Sequence, residues 1–283
     1  MRIKHVQSGI VLCLLLAYTA VANAQAAAQF HDRIAAIASG SDAEARRLAI
    51  TKALDSIGIQ SRLDDFTTPT FSGTNIVAEL AGTKPTKTLL LGAHYDRVAQ
   101  GNGAVDNAAS CAVLLGLLAK FKSNPLEGYT IRAVFFDLEE RGLVGSQAYF
   151  AKNRGAGLPD QALNLDIFGY GDTLFATASA QDGPLAAALQ RAADEVSVPV
   201  RWMPRNQYPA SDHRIMMTAG IETVGLALID GKEIDALGQR GGAEPRILTI
   251  IHTPEDTIDK IHSEDIEKAF PVLEKLIRLL DKR

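Results

Sequence analysis

The sequence predicts an α/β protein: a mixed, mainly parallel central sheet flanked by helices, in a single domain. Three observations lead there. Short apolar runs alternate along the chain with segments of helical periodicity, the order that builds strand–helix–strand units. Several of these runs are apolar without interruption, as strands buried on both faces are, so helices must cover both sides of the sheet. No internal repeat and no long linker divides the 283 residues.

Residues 31–57 read as one helix, with Ile34, Ile37, Leu48, Ile50, Leu54 and Ile57 apolar and Gly58 as its stop. Asn75 to Leu80 alternates like a half-exposed strand, and Thr88 to Ala93 is a short apolar run like a buried one. Ala108 to Phe121 fits a buried helix, Thr130 to Asp137 a strand, and Leu143 to Lys152 a helix. Strands are expected over Ala162 to Ile167 and Thr173 to Ala176, then a helix over Pro184 to Val196 with proline in its first turn. Ile221 to Leu228 and Ile247 to Ile251 read as further strands, and Ile266 to Leu280 as a closing amphipathic helix.

Before all of these stands a targeting segment, residues 1–24. Arg2 and Lys4 are followed by an apolar run from Ile10 to Ala17 and by Ala22-Asn23-Ala24, the small-x-small pattern of a signal-peptide cleavage site. The run is too short to span a bilayer, and no later segment reads as the ~20 apolar residues a span needs. The mature chain, 25–283, is therefore expected to be exported, to the periplasm or the medium, and free of the membrane. Loss of Cys13 leaves Cys111 alone, so no internal disulfide can form and stability must come from the core or from bound metal. Cys111 itself, in the run Cys111-Ala-Val-Leu-Leu, reads as a small buried hydrophobe.

Composition narrows the function classes. With 47% hydrophobic and 22% charged residues the chain is neither disordered nor low in complexity. Lys+Arg 29 against Asp+Glu 33 provides no positive field for a phosphate backbone, so nucleic acid is not an expected partner.

Chemistry-bearing residues gather where buried strands end, which is where ligands bind in such sheets. His94-Tyr95-Asp96 ends the run 88–93, Asp137-Leu138-Glu139-Glu140 ends the run 130–136, and Asp166 follows the run 162–165. His252 follows 247–251, and Asp106 opens the buried helix after Gly101-Asn-Gly-Ala-Val. Singly, Asp106 is also a plausible helix N-cap, Glu139-Glu140 a charged turn, and the two histidines satisfied core residues. Together, two imidazoles and several carboxylates are a ligand set for zinc or a similar cation, and the lack of cysteine ligands favours an open, hydrolytic site over a closed structural one.

The ordered pieces His94-Tyr95-Asp96, Gly103-Ala-Val-Asp106-Asn107, Glu139-Glu140 with Gly142-Leu-Val-Gly-Ser146, Asn164-Leu-Asp166, Ser211-Asp-His213 and His252-Thr-Pro-Glu-Asp256 resemble the zinc aminopeptidases of peptidase family M28. The resemblance implies a sheet of about eight strands of the zinc-exopeptidase kind, two Zn²⁺ per chain, and hydrolysis of N-terminal amino acids from peptides or small amides with a free N-terminus. By the same resemblance Asp106 bridges both metals, His94 and Asp166 complete one, and Glu140 and His252 the other. Glu139 matches the general base acting on a metal-bridging water, and Asp96 the carboxylate that orients the His94 ring. Ser211, Asp212 and His213 are expected to support the pocket. Ile251 stands where some relatives place a tyrosine beside the last histidine; others place the tyrosine three residues ahead of Ser-Asp-His, the position of Tyr208, which makes Tyr208 the candidate donor to the oxyanion. The flanking cysteines of those relatives are Asn206 and Ala210 here. The alternatives are a glutaminyl-peptide cyclotransferase with a single zinc, which would lack the counterpart of His94, and a dipeptidase or carboxypeptidase.

Overall fold

The computed structural model describes residues 28–155, 157–237 and 245–282; the expected signal peptide, 1–24, lies outside them. Two helices, α1 (28–38) and α2 (Ala43–Ser56), replace the single helix expected over 31–57. The chain turns at Gly40 and Ser41, and Asp42 restarts it as an N-cap whose carboxylate accepts from the Ala45 N–H at 2.8 Å. Leu48 consequently faces outward, 52% exposed.

The strands are β1 (Ser61–Thr67), β2 (Ser72–Leu80), β3 (Lys87–His94), β4 (Tyr129–Phe136), β5 (Gln161–Leu165), β6 (Thr173–Ala178), β7 (Val200–Trp202) and β8 (Glu222–Ile229). They form one eight-stranded sheet in the order β1-β2-β4-β3-β5-β8-β6-β7. The central pairs β4–β3, β3–β5 and β5–β8 run parallel, as does β6–β7; β1–β2, β2–β4 and β8–β6 are antiparallel. The sheet is thus mixed, with its parallel part at the centre as the uninterrupted apolar runs require. The edge strands β1 and β7 escape the sequence pattern: β1 carries Asp64 and Asp65 and keeps much of its surface in solvent, and β7 is three residues long.

Helices α3 (Ala109–Ser123), α4 (Val144–Asn153), α5 (Pro184–Val196), α6 (His213–Thr218), α7 (Gly231–Leu237), α8 (Arg246–Ile250) and α9 (Ser263–Asp281) complete the chain. The run 247–251, expected as a strand, is helix α8. Pro245 precedes it with φ −58°, and Ile247 and Ile250, three apart, are buried while Leu248 is 43% exposed. That spacing belongs to a helix face, and its packing overrides the strand preference of a β-branched run.

Two apolar clusters lie on the two faces of the sheet. The larger contains α3 and α9 with Leu89, Leu91 and Phe135; the smaller contains Leu90, Val134, Phe136, Tyr149 and Met216. Alternate residues of β3 thus point to opposite clusters. Against the sequence reading, Ala104–Ser123 does reach the length and hydropathy of a membrane span. Its most apolar 18-residue stretch is 89% buried within the fold, as a core helix and the turn leading into it would be.

Candidate metal centre

His94 closes β3, Asp166 directly follows β5, and Glu139 and Glu140 lie just past β4. Because β4, β3 and β5 are parallel neighbours, their carboxyl ends deliver all four side chains to one place. Asp106 reaches it from the turn Ala104–Ala108 ahead of α3, and His252 from the loop after α8. Leu138, Ile167 and His252, each in or beside this group, adopt left-handed backbone with φ of 56°, 64° and 59°. Such conformations are costly for residues with a Cβ, most of all a β-branched one, and they collect where surrounding structure dictates side-chain aim.

The two oxygens of Asp106 face different histidines. His94 Nε2 lies 3.0 Å from Asp106 Oδ1 and 3.4 Å from Asp166 Oδ1. His252 Nε2 lies 3.1 Å from Asp106 Oδ2 and 3.1 Å from Glu140 Oε2. One ligand atom each from His94, Asp106 and Glu140 falls within a 4.8 Å cluster; Glu140 Oε1 is buried without a partner among the described residues, and Asp106 Oδ1 has only the His94 ring beside it, out of hydrogen-bond alignment. Buried acceptors without donors are what a cation would satisfy, and the nitrogen and oxygen donor set suits zinc.

The electrostatics point the same way. Burial pushes the Glu139 carboxyl up to about 9; His94 opposes this, and Asp166, Asp212 and Asp106 add to it. Contacts with Asp106 and Glu140 raise His252 to about 10. Burial disfavours a charged His94, but Asp166, Glu139 and Asp106 outweigh it and hold the ring well above its ordinary range. The carboxylates hold both rings above their ordinary range, and a cation bound among them would meet the same demand for positive charge.

Several residues hold this group in place. Asp96 lies 3.4 Å from His94 Nδ1, and its two oxygens accept the N–H groups of Glu139 (3.0 Å) and Glu140 (3.2 Å). It therefore hydrogen-bonds the backbone of both glutamates, while the His94 ring stands beside it without a hydrogen bond. Two supports were missed. Asp256 is buried and accepts from the Val105 and Asp106 N–H groups at 2.8 and 3.2 Å. Asn107 donates to the Leu165 carbonyl at 3.0 Å and accepts from the Ile167 N–H at 3.2 Å, clasping both sides of Asp166. Both lie inside the matched motifs, but only folding reveals their partners.

Tyr208 and Ser211 line the same cavity as His94, Asp106, Glu139, Asp166 and His252. The Tyr208 ring stacks on Phe175 at 4.6 Å and meets His213 edge-on at 5.2 Å, and its hydroxyl donates to the Phe175 carbonyl at 3.2 Å. Ser211 Oγ accepts from Asn164 Nδ2 at 3.0 Å. Burial lowers His213 to about 4, leaving a neutral packing ring. The cavity has a volume of about 180 Å³, and its far wall is apolar: Ile167, Phe175, Leu237, Ile247 and Ile251.

The family described as Peptidase family M28 matches residues 75–277. The chain belongs to peptidase family M28. A probable leucine aminopeptidase of Arthroderma otae is 30% identical over 190 residues, 63% of this chain and 50% of that protein. Solved structures share this fold, two of them as follows. The zinc aminopeptidase BSAP from Bacillus subtilis superposes with a TM-score of 0.61 at 24% identity, covering 74% of this chain and 50% of that one. A glutaminyl cyclase from an Acidobacteriales bacterium gives 0.71 at 23% identity, covering 92% and 95%. The chain spans 10% to 50% of the length of eight curated relatives that it matches.

Asp256→Ala leaves two buried N–H groups unpaired beside Asp106. It should cost about 1–3 kcal/mol per group in stability and weaken zinc binding roughly 10- to 100-fold, read by thermal unfolding and by competition with a chelator.

Proposed function

We propose that this M28 protein is an exported aminopeptidase that holds two zinc ions and releases the N-terminal residue of peptides. The observation that carries the reading is the two-sided use of Asp106. Its oxygens stand between two imidazoles, each backed by a further carboxylate: His94 with Asp166, and His252 with Glu140. Zinc bound there supplies Lewis acidity, acidifying water and neutralising charge that develops on the scissile carbonyl oxygen.

The chain's own groups have distinct tasks. Glu140 is paired with His252 and is the candidate ligand; Glu139, which forms no ion pair among the described residues, lines the cavity and is the candidate base. Glu139 takes a proton from the attacking water and returns it to the leaving amine. Arg201, Arg205 and Arg214 do not line the cavity, so among the described residues it offers no guanidinium to a C-terminal carboxylate. This favours an aminopeptidase over a carboxypeptidase; Arg240 lies outside the described residues. The apolar wall suits an aliphatic or aromatic N-terminal side chain. Export rests on the basic, apolar and small-residue pattern of 1–24, which leaves 25–283 as the peptidase domain.

Protein recovered from outside the cytoplasm should begin at Gln25 and contain two zinc ions per chain. It should hydrolyse free and C-amidated dipeptides but not N-acetylated ones. A single tightly bound zinc together with cyclisation of N-terminal glutamine would replace the peptidase by a cyclotransferase; a demand for a free C-terminus would make it a dipeptidase.

Glu139→Gln should keep both ions while kcat falls by about 10²- to 10⁴-fold, whereas Glu140→Gln should lose one ion. Metal analysis beside steady-state kinetics separates the two, and the opposite pattern would reverse their roles.

Tyr208 can donate to the oxyanion only by exchanging its bond to the Phe175 carbonyl. Tyr208→Phe should then lower kcat roughly 10- to 100-fold with KM little changed; an unchanged kcat would assign the ring to packing alone.

A further inference from the structure

Arg46 in α2 is fully buried, and it precedes the residues that match the family. Among the described residues its guanidinium forms no ion pair, although an unpaired buried charge is expensive. All three nitrogens instead donate to main-chain carbonyls: Nε to Tyr95 at 2.5 Å, Nη1 to Asn102 at 2.8 Å and Nη2 to Gly103 at 3.1 Å.

These acceptors are not scattered. Tyr95 lies between His94 and Asp96, and Asn102 and Gly103 lead into the turn that carries Asp106. The Asn102 N–H also donates to the Asp256 carbonyl at 2.7 Å, joining the same fork to the loop after His252. The surroundings are cut to fit the side chain, since a Cβ at Gly40 would meet Arg46 Cγ at 2.6 Å. A second guanidinium works in the opposite direction. Arg97 donates from Nη1 to the Val98 and Gly101 carbonyls, both at 2.9 Å, and from Nη2 to Ser41 at 2.8 Å, fixing the site loop to the α1–α2 turn. The positive charge of Arg46 also acts on Asp96 and Asp256, the two carboxylates that hold the ligand segments.

We propose that Arg46 is a positioning residue for the metal centre: by spanning the Tyr95 and Asn102–Gly103 carbonyls it sets the placement of His94 against Asp106, and so the affinity for the ion between them. The proposal rests on the zinc reading of the site. It needs the planar fork of arginine, because a lysine ammonium keeps the charge but cannot reach three carbonyls in that arrangement.

The test compares wild type, Arg46→Lys and Leu54→Ala as the mature full-length chain, stripped of metal and titrated with zinc against a chromophoric chelator. Leu54 is fully buried in the same helix and packs in the core, so Leu54→Ala loosens α2 without touching the three carbonyls. Arg46→Lys should bind zinc roughly 10-fold more weakly, with kcat recovering in excess zinc and KM unchanged. Leu54→Ala should lower Tm at least as far and leave the zinc Kd as in wild type. Wild-type zinc affinity in Arg46→Lys, or an equal loss in Leu54→Ala, would overturn the positioning role while leaving the metal centre standing. Absence of zinc binding in wild type would overturn both.

Discussion

The rest of the structure depends on one electrostatic constraint, the confinement of many carboxylates at the carboxyl edge of a buried sheet. Asp96, Asp106, Asp212 and Asp256 are almost fully buried, and Glu139, Glu140 and Asp166 join them, with two imidazoles in their midst. Like charges in a dry site raise one another's pKa. Asp212 is pushed up to about 7 and Asp256 to about 6, chiefly by burial. Such a group persists only if donors and cations are built around it. Main-chain N–H groups of Val105, Asp106, Glu139 and Glu140 supply part of that, and two arginines bonded to the backbone of the same loops supply more. Among the described residues a deficit remains at Asp212, whose two oxygens are buried without hydrogen bonds, and at Asp106 Oδ1 and Glu140 Oε1, the candidate metal ligands among them.

The sheet meets this constraint through its order. With β3 between β4 and β5, three parallel strand ends open side by side, and each releases its polar residue within a residue or a few of the last ladder bond. The left-handed residues Leu138, Ile167 and His252 then turn the chain abruptly, so that side chains reach the centre without long loops. Asn107 and Asp256 bind the turn carrying Asp106 to β5 and to the loop after α8, so three segments distant in sequence behave as one piece.

Polar and apolar residues line one cavity. His94, Asp106, Glu139, Asp166 and His252 line it with polar groups, while residues of β6, β8 and α8 line it with apolar ones. A hydrolase and a glutaminyl cyclase share this scaffold, as expected when reactions are set by side chains at strand ends and not by the sheet. Arg46 extends the architecture beyond the family match, from a helix that does not line the cavity.

The central strands were legible because burial on both faces leaves runs such as Leu89-Leu90-Leu91 with no polar residue to disguise them. The site residues were legible because a charged group at the end of such a run has few purely structural reasons to be there. The ordered motifs that resemble M28 supplied the individual roles assigned to them. Other features depended on contacts across long stretches of chain. The helix at 246–250 takes its form from which isoleucines find the core, and β1 and β7 exist by pairing with a neighbour. Asp256 reads as one more acidic residue until its carboxylate meets two N–H groups some 150 positions away. Arg46 carries no motif at all. Sequence determined the residue chemistry and local periodicity, which are properties of near neighbours. Tertiary structure alone decided which backbone groups those residues satisfy, because a buried donor or acceptor takes its partner from whatever folding brings within about 3 Å.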